Sequence, residues 1–196
     1  MKRYVLAITG ASGSILGVRL LEELVKRSEV HLLVSRNTFP IILDETGLDW
    51  SADTEALLRD TYRADRIFFH EDTNMYAPVS SGSYKTDGMF IVPCTMKTLA
   101  GIACGYANNL IERAADVTIK EGRPLLLAPR EMPFSSVHLE NMLKLSRIGV
   151  RIAPPVPAFY QGPKTLNDMV DFMIGKMLDA MAIEHGLFRR WGSGPS

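Results

Sequence analysis

Residues 87–133 read DGMFIVPCTMKTLAGIACGYANNLIERAADVTIKEGRPLLLAPREMP, and the fold is decided here. An apolar run of strand length, 89–92, ends at Pro93. A small-residue turn comes next, then a helix-like segment from Thr95 with Thr98 in its first turn. A second helical segment, 109–121, carries Arg113 and Lys120. A second apolar run, 125–128, ends at Pro129-Arg130-Glu131. The two runs read as buried strands that deliver polar groups at their carboxyl ends, where open parallel sheets bind ligands. Hydroxyls and free N–H groups at a helix start suit a phosphate. Arg113, Lys120, Arg130 and Glu131 add three cations and one acid. So much charge beside apolar strands is either a surface rim or an anion site with a proton donor.

The same alternation extends upstream. Residues 4–9 are an apolar run broken by Gly10-Ala11-Ser12-Gly13. From Ile15, apolar residues recur at Leu16, Val18, Leu20, Leu21, Leu24 and Val25. That spacing is helical and turns Arg19, Glu22, Glu23, Lys26 and Arg27 to solvent. Residues 30–34 make a second strand ending at Ser35-Arg36, which completes a βαβ unit. Its glycine turn lies where a phosphate usually docks, at the amino end of the first helix. Residues 37–45 and 54–62 read as helices and 66–69 as a short third strand. Residues 75–85, with Pro78 and Ser80-Ser81-Gly82-Ser83, read as a loop or short helix of the ligand-facing kind.

Downstream, Ser135 opens a helix with Glu140 placed to help cap its first turn. Leu139, Met142, Leu143 and Leu145 are its apolar stripe. A last strand, 150–153, precedes PPVPAFY at 154–160, stiff because each Pro fixes φ and removes a donor. Residues 166–183 read as a helix apolar enough to expect a packing partner, and 184–196 as a polar tail carrying Trp191. Strands alternating with helices predict one three-layer α/β/α domain over 1–183, its sheet largely parallel and of about six strands.

Composition narrows the function classes. A chain of 196 residues buries one good core, and two domains would be cramped. Lys+Arg and Asp+Glu are 22 each, and no basic block offers a footprint for nucleic acid or an anionic membrane. Zero net charge fits self-association. Cys94 and Cys104 match no zinc or redox spacing, so a reducing, cytoplasmic setting is expected. Residues 1–9 are too short for a signal h-region, and no run approaches the roughly 20 apolar residues that span a bilayer.

Gly10-Ala11-Ser12-Gly13 is not GxGxxG, and alone it reads equally as a tight strand-to-helix turn. Ser12 offers a hydroxyl to a phosphate or a proton relay. A nicotinamide enzyme wants an acid at the end of the second strand. This chain has Ser35-Arg36, so Ser35 suits a phosphate and Arg36 keeps NADP open as an alternative. His31 lies inside a strand and reads as structural. His138 and Glu140 lack metal-ligand spacing, and Asp168 and Asp171 read as one helix's solvent face, so no metal site is expected. There is no GxSxG nucleophile elbow.

Taken together, GASG at 10–13, SGSY at 81–84, PCTMKTLAGIACG at 93–105 and NNLIERAADVTIKE at 108–121 resemble the flavin prenyltransferase (UbiX) family. PREMPFSSVHLENMLKL at 129–145, PPVPAFY at 154–160 and RRWG at 189–192 extend the resemblance over nearly the whole chain. The related flavin-dependent cysteine decarboxylases carry a PxMNxxMW-like segment that is missing here. The resemblance implies a Rossmann-like flavoprotein fold. It implies that reduced FMN is substrate and scaffold, alkylated at N5 and C6 from dimethylallyl monophosphate to give prenylated FMN for a partner decarboxylase. Carried over residue by residue, it gives FMN to Gly10, Ala11, Ser12, Ser35, Thr95, Met96, Lys97, Thr98 and Arg130. It gives the prenyl phosphate to Ser81, Arg113, Lys120, Tyr160 and Lys176, with Glu45 and Trp191 as further active-site positions. Glu131 is the implied acid/base and Ser12 a relay. The family's homo-oligomers, commonly dodecamers, imply a tail at 184–196 that contributes to a neighbour's site.

Three positions depart from the family pattern. Thr95 stands where Ser is usual and keeps the hydroxyl. Gly122 replaces a common Arg. Lys176 stands where some members have Arg, and it binds phosphate without the bidentate fork. The residue chemistry agrees with the resemblance. An allylic C–O bond breaks when the leaving phosphate's charge is neutralised, and without magnesium Lys and Arg do this. Glu131 supplies the acid, and Tyr160 and Trp191 supply π-rich walls. The competing classes are an FMN-dependent decarboxylase or reductase and a non-catalytic FMN-binding protein.

Overall fold

A computed structural model of the chain describes residues 1–51, 53–62 and 64–190. The first half runs β1 (Lys2–Ile8), α1 (Ser14–Val25), β2 (Ser28–Val34), α2 (Phe39–Thr46), α3 (Thr54–Thr61) and β3 (Ile67–Glu71). The second runs β4 (Gly88–Cys94), α4 (Met96–Cys104), α5 (Leu110–Lys120), β5 (Leu125–Pro129), α6 (Ser136–Arg147), β6 (Arg151–Ile152) and α7 (Leu166–Ala180). The sheet order is β3-β2-β1-β4-β5-β6, and every neighbouring pair is parallel.

Strands of a parallel sheet are buried on both faces, which is why they read as unbroken apolar runs. Alternate residues divide between two cores. Leu6, Ile8, Leu32, Phe90 and Leu126 face α1, α2 and α7, whereas Val5, Ala7, Leu33, Ile91 and Leu127 face α4, α5 and α6. Two glycines make the first crossover possible. Gly13 sits at φ 99°, a left-handed conformation that costs a β-carbon-bearing residue. At Gly17, a Cβ would run into the Val92 carbonyl and lie 2.8 Å from Ile8 Cγ1, so α1 rests directly on β1 and β4.

Three expectations change. The cap of α6 is made by Ser135 with His138, whose Nδ1 accepts from the Ser135 N–H, and not by Glu140. The stripe on α6 buries only Met142 and Leu145; Leu139 and Leu143 are 53% and 51% exposed. The apolar face of α7 is filled within its own chain: Val170, Ile174, Met177 and Leu178 join the α1 core, and Arg19 Nε donates to Asp171 at 2.7 Å. Among the described residues, no helix is long and apolar enough to cross a membrane.

Candidate active site

The strand order reverses between β1 and β4, which opens a crevice outside their carboxyl ends. One side chain ties its floor. Thr9 donates from Oγ1 to the Pro93 carbonyl at 2.8 Å and accepts from the Thr95 N–H at 2.8 Å. Thr9 is absent from the candidates drawn from sequence, although a hydroxyl directly before a glycine turn is a signal for it. Thr95 then caps α4, its Oγ1 accepting from the Thr98 N–H at 3.2 Å and donating to Thr98 Oγ1 at 3.0 Å. A cap of this kind uses one N–H of the first turn and leaves others for an anion. Ser35 is held by its N–H on the Ile8 carbonyl, 3.1 Å, and by Thr38 Oγ1, which donates to its hydroxyl at 3.3 Å. The Arg130 N–H donates to the Cys94 carbonyl at 3.1 Å.

Gly10, Ser35, Thr95, Lys97 and Thr98 therefore line one cleft of about 280 Å³. Ala11 is buried in the turn, Ser12 is exposed on it, and Met96 is half-buried at the start of α4. A larger cleft of about 650 Å³ sets four carboxylates, Asp53, Glu55, Glu71 and Asp72, against Arg36 and so disfavours a phosphate, whereas the smaller one balances Asp72 and Glu112 with Arg36 and Lys97. Arg36 itself, the residue that kept NADP open, lies 4.0 Å from Glu71.

The amino end of α1 departs from expectation. The position predicted for a phosphate holds the Glu45 carboxylate instead. It accepts from the Gly13 N–H at 2.8 Å, the Ile15 N–H at 3.1 Å and Ser14 Oγ at 2.8 Å. Burial pushes this carboxyl up, but hydrogen bonds from Gly13, Ser14, Ile15 and Ser12 outweigh it and hold it below the ordinary range. Glu45 is thus an anion already in the helix's anion site. The helix start left for a phosphate is that of α4.

Within one chain, Lys120 and Glu131 of the expected Arg113, Lys120, Arg130 and Glu131 group lie apart. Lys120 precedes β5 and Glu131 comes after it. Five residues of strand, about 16 Å, separate the two ends. Lys120 pairs with Glu121 and lies against Gly82, where a Cβ would be 2.7 Å from Nζ. Arg113 donates from Nε to the Ser80 carbonyl at 3.0 Å and pairs with Asp116 at 2.8 Å. Ser81 and Ser83 share a hydrogen bond of 2.9 Å, and Arg123 donates to the Gly82 and Tyr84 carbonyls. The 80–83 loop thus gathers three cations, Arg113, Lys120 and Arg123. Tyr84 anchors it through a buried network with Arg3, Glu29, His31 and His70.

Glu131 is exposed in the loop after β5, and its Oε1 accepts from the Met132 N–H at 3.0 Å. Among the described residues no ion pair joins it to Arg130 or Arg113. Tyr160 is 66% exposed and edge-on to Phe172 of α7, with ring centroids 5.8 Å apart. Lys176 is exposed on the same helix. Trp191 lies outside the described residues. No group of three or more potential metal ligands occurs among the described residues.

The Flavoprotein family model matches residues 1–188. The flavin prenyltransferase UbiX of Methanocaldococcus jannaschii is 47% identical over 191 residues, 97% of this chain and 99% of that protein. Two crystal structures superpose closely. A dodecameric FMN-dependent UbiX-like decarboxylase from Escherichia coli O157:H7 has a TM-score of 0.88 at 46% identity, covering 97% of this chain and all of that one. AnUbiX (PadA1), in complex with FMN and dimethylallyl pyrophosphate, has a TM-score of 0.87 at 42% identity over 99% of both chains. With this identity along almost its full length, and with a cleft at the β1–β4 crossing built from hydroxyls and a capped helix start, the chain belongs to the flavin prenyltransferase (UbiX) family within the flavoproteins.

Proposed function

We propose that this chain transfers a dimethylallyl group from dimethylallyl monophosphate to reduced FMN, alkylating N5 and C6. The prenylated FMN product then serves a partner decarboxylase. The observation that carries the reading is the match, at 47% identity across 191 residues, to a flavin prenyltransferase, joined to a cleft that fits a flavin phosphate. The residues suit that ligand: the Thr95–Thr98 helix start and Ser35 offer donors to a phosphate, and Gly10 presents no side chain to it. FMN supplies the nucleophilic nitrogen. The chain's residues do the rest. Arg130 and Lys97 add positive charge near the cleft, Glu131 exchanges a proton, and Ser12 relays it, while the ionised Glu45 holds the turn at 13–15.

The cations for the leaving phosphate come from a second copy. Within one copy the length of β5 keeps Lys120 away from Glu131, and a relative of 46% identity is a dodecamer. In this reading a neighbour's 80–83 loop and Lys120 close over the cleft, while Lys176 of α7 and Tyr160, which packs on that helix, approach it. The product and substrate are small and water-borne, so a cytoplasmic setting suits the reaction.

The test is direct. Purified protein is mixed anaerobically with reduced FMN and either dimethylallyl monophosphate or pyrophosphate, and the flavin is weighed by mass spectrometry. A gain of one isoprenyl unit from the monophosphate is expected, at a rate that EDTA leaves unchanged. Tight FMN binding with no mass gain from either donor overturns the reading in favour of a decarboxylase, a reductase or a carrier. A rate that only magnesium restores overturns the metal independence.

A further inference from the structure

Residues 184–190 fold back onto α7 at a single glycine. A Cβ built on Gly175 would run into the Phe188 ring and lie 2.7 Å from His185 Cε1, so both side chains rest on the bare helix backbone. Glycine inside a fifteen-residue helix is unfavourable by propensity, and here the space it leaves is filled. The side chain of His185 is fully buried. Its Nε2 lies 3.2 Å from Asp179 Oδ1 without hydrogen-bond alignment. Asp179 also receives Arg190 at 2.8 Å, which ties the far end of the segment to the same helix.

The contact continues sideways. The Phe188 ring is 5.0 Å from Phe172, and Phe172 is the ring that Tyr160 meets edge-on at 5.8 Å. Gln161 Nε2 independently donates to the Arg189 carbonyl at 3.3 Å. The 160–161 loop and the 184–190 segment are therefore joined twice, across a helix whose next residue after Gly175 is Lys176.

We propose that Gly175, Phe172 and Phe188 form a positioning clasp that holds Tyr160 on Phe172, one helical turn from Lys176, and thereby sets the affinity for the prenyl phosphate. None of the three is a catalytic residue: each acts through Tyr160 and the docked tail. The inference rests on the assignment of Tyr160 and Lys176 to the prenyl phosphate.

Gly175→Ala, Phe188→Ala and the double variant test it. Each single change is expected to raise KM for dimethylallyl monophosphate by about tenfold, with kcat reduced less and FMN affinity unchanged. The double variant is expected to be no worse than the poorer single one, because both changes break one contact. Additive losses, or an unchanged KM, overturn the clasp. A second readout needs no turnover. Trypsin should cut within 184–190 faster in both single variants than in the parent, and equal rates overturn the clasp whatever the activity. If the parent makes no prenylated flavin yet its tail is released by Gly175→Ala, the functional reading and not the docking has failed. Phe188→Ala lies outside the helix, so it remains informative should Gly175→Ala fold poorly.

Discussion

The cleft at β1 and β4 and the loop at 80–83 both hold hydroxyls and positive charge, but they are built differently. The cleft is assembled from strand ends and a helix start locked together by Thr9, Thr95 and Ser35. The loop is equally well held, by Arg113, Arg123 and Tyr84, but its cations meet carbonyls, Asp116 and Glu121 and no acid/base of the proposed reaction. Order at the second region without a reaction partner points to a half-site. In the proposed reading, binding of the flavin is a property of the fold, whereas chemistry on the prenyl phosphate is a property of an assembly.

The largest expected effect separates chemistry from binding. Glu131→Gln keeps size and hydrogen bonding but removes the ionisable proton. It should still bind FMN and lose about 10² to 10⁴ in turnover, the usual range for general acid–base groups. A variant that turns over normally but melts early makes Glu131 a scaffold residue. Next comes the assembly itself. Co-expression of Glu131→Gln with Lys120→Ala, each nearly inactive alone, should recover about a quarter of parental activity if each site takes the two residues from different copies that mix at random. No recovery from mixed oligomers places both residues in one copy's site and breaks the comparison.

Sequence reached the cleft more easily than the loop, for a physical reason. Strand ends in a parallel sheet are read from apolar runs, and the residues just after each run fall at one edge, so Gly10, Ser35, Thr95 and Thr98 could be grouped from order alone. Lys120 and Glu131 look close in sequence, and the strand between them is what carries them to opposite edges. Glu45 was legible as a residue but not as a cap, since its partners Gly13, Ser14 and Ile15 are met only after the chain crosses β2. The α6 stripe failed because periodicity marks an apolar face without saying how much of it the chain covers.

A smaller effect probes the scaffold under the cleft. Gly17→Ala adds a methyl group against the Val92 carbonyl and Ile8. Overpacking of this kind costs about 1–3 kcal/mol, and it should spread β1 from β4 and so weaken FMN binding along with stability. Urea unfolding with flavin titration checks both. A stability loss with unaltered FMN affinity means the cleft tolerates movement of α1.

The smallest expected effect acts on the loop side alone. His31 Nδ1 and His70 Nε2 are 2.8 Å apart, and His31 Nε2 meets Glu29 and the Tyr84 hydroxyl at 3.0 and 2.9 Å. Burial pushes His70 down to about 4, helped by the neighbouring imidazole. Burial also lowers His31, although Glu29 opposes it. Both are therefore neutral in the folded chain at a pH where the unfolded chain is already taking up protons. A depressed histidine contributes stability that is full above its ordinary value of about 6.5 and declines as pH falls from there toward the folded value. Lowering the pH from 7 to 5 should thus reduce Tm, and less so in His70→Asn. Hydrogen exchange should quicken at amides 82–86, which hang from Tyr84 and Arg123, while amides 95–99 of the cleft keep their protection. Equal pH slopes for parent and variant, or equal loss of protection in both regions, would mean that the histidine pair does not support the loop and that the two regions unfold as one.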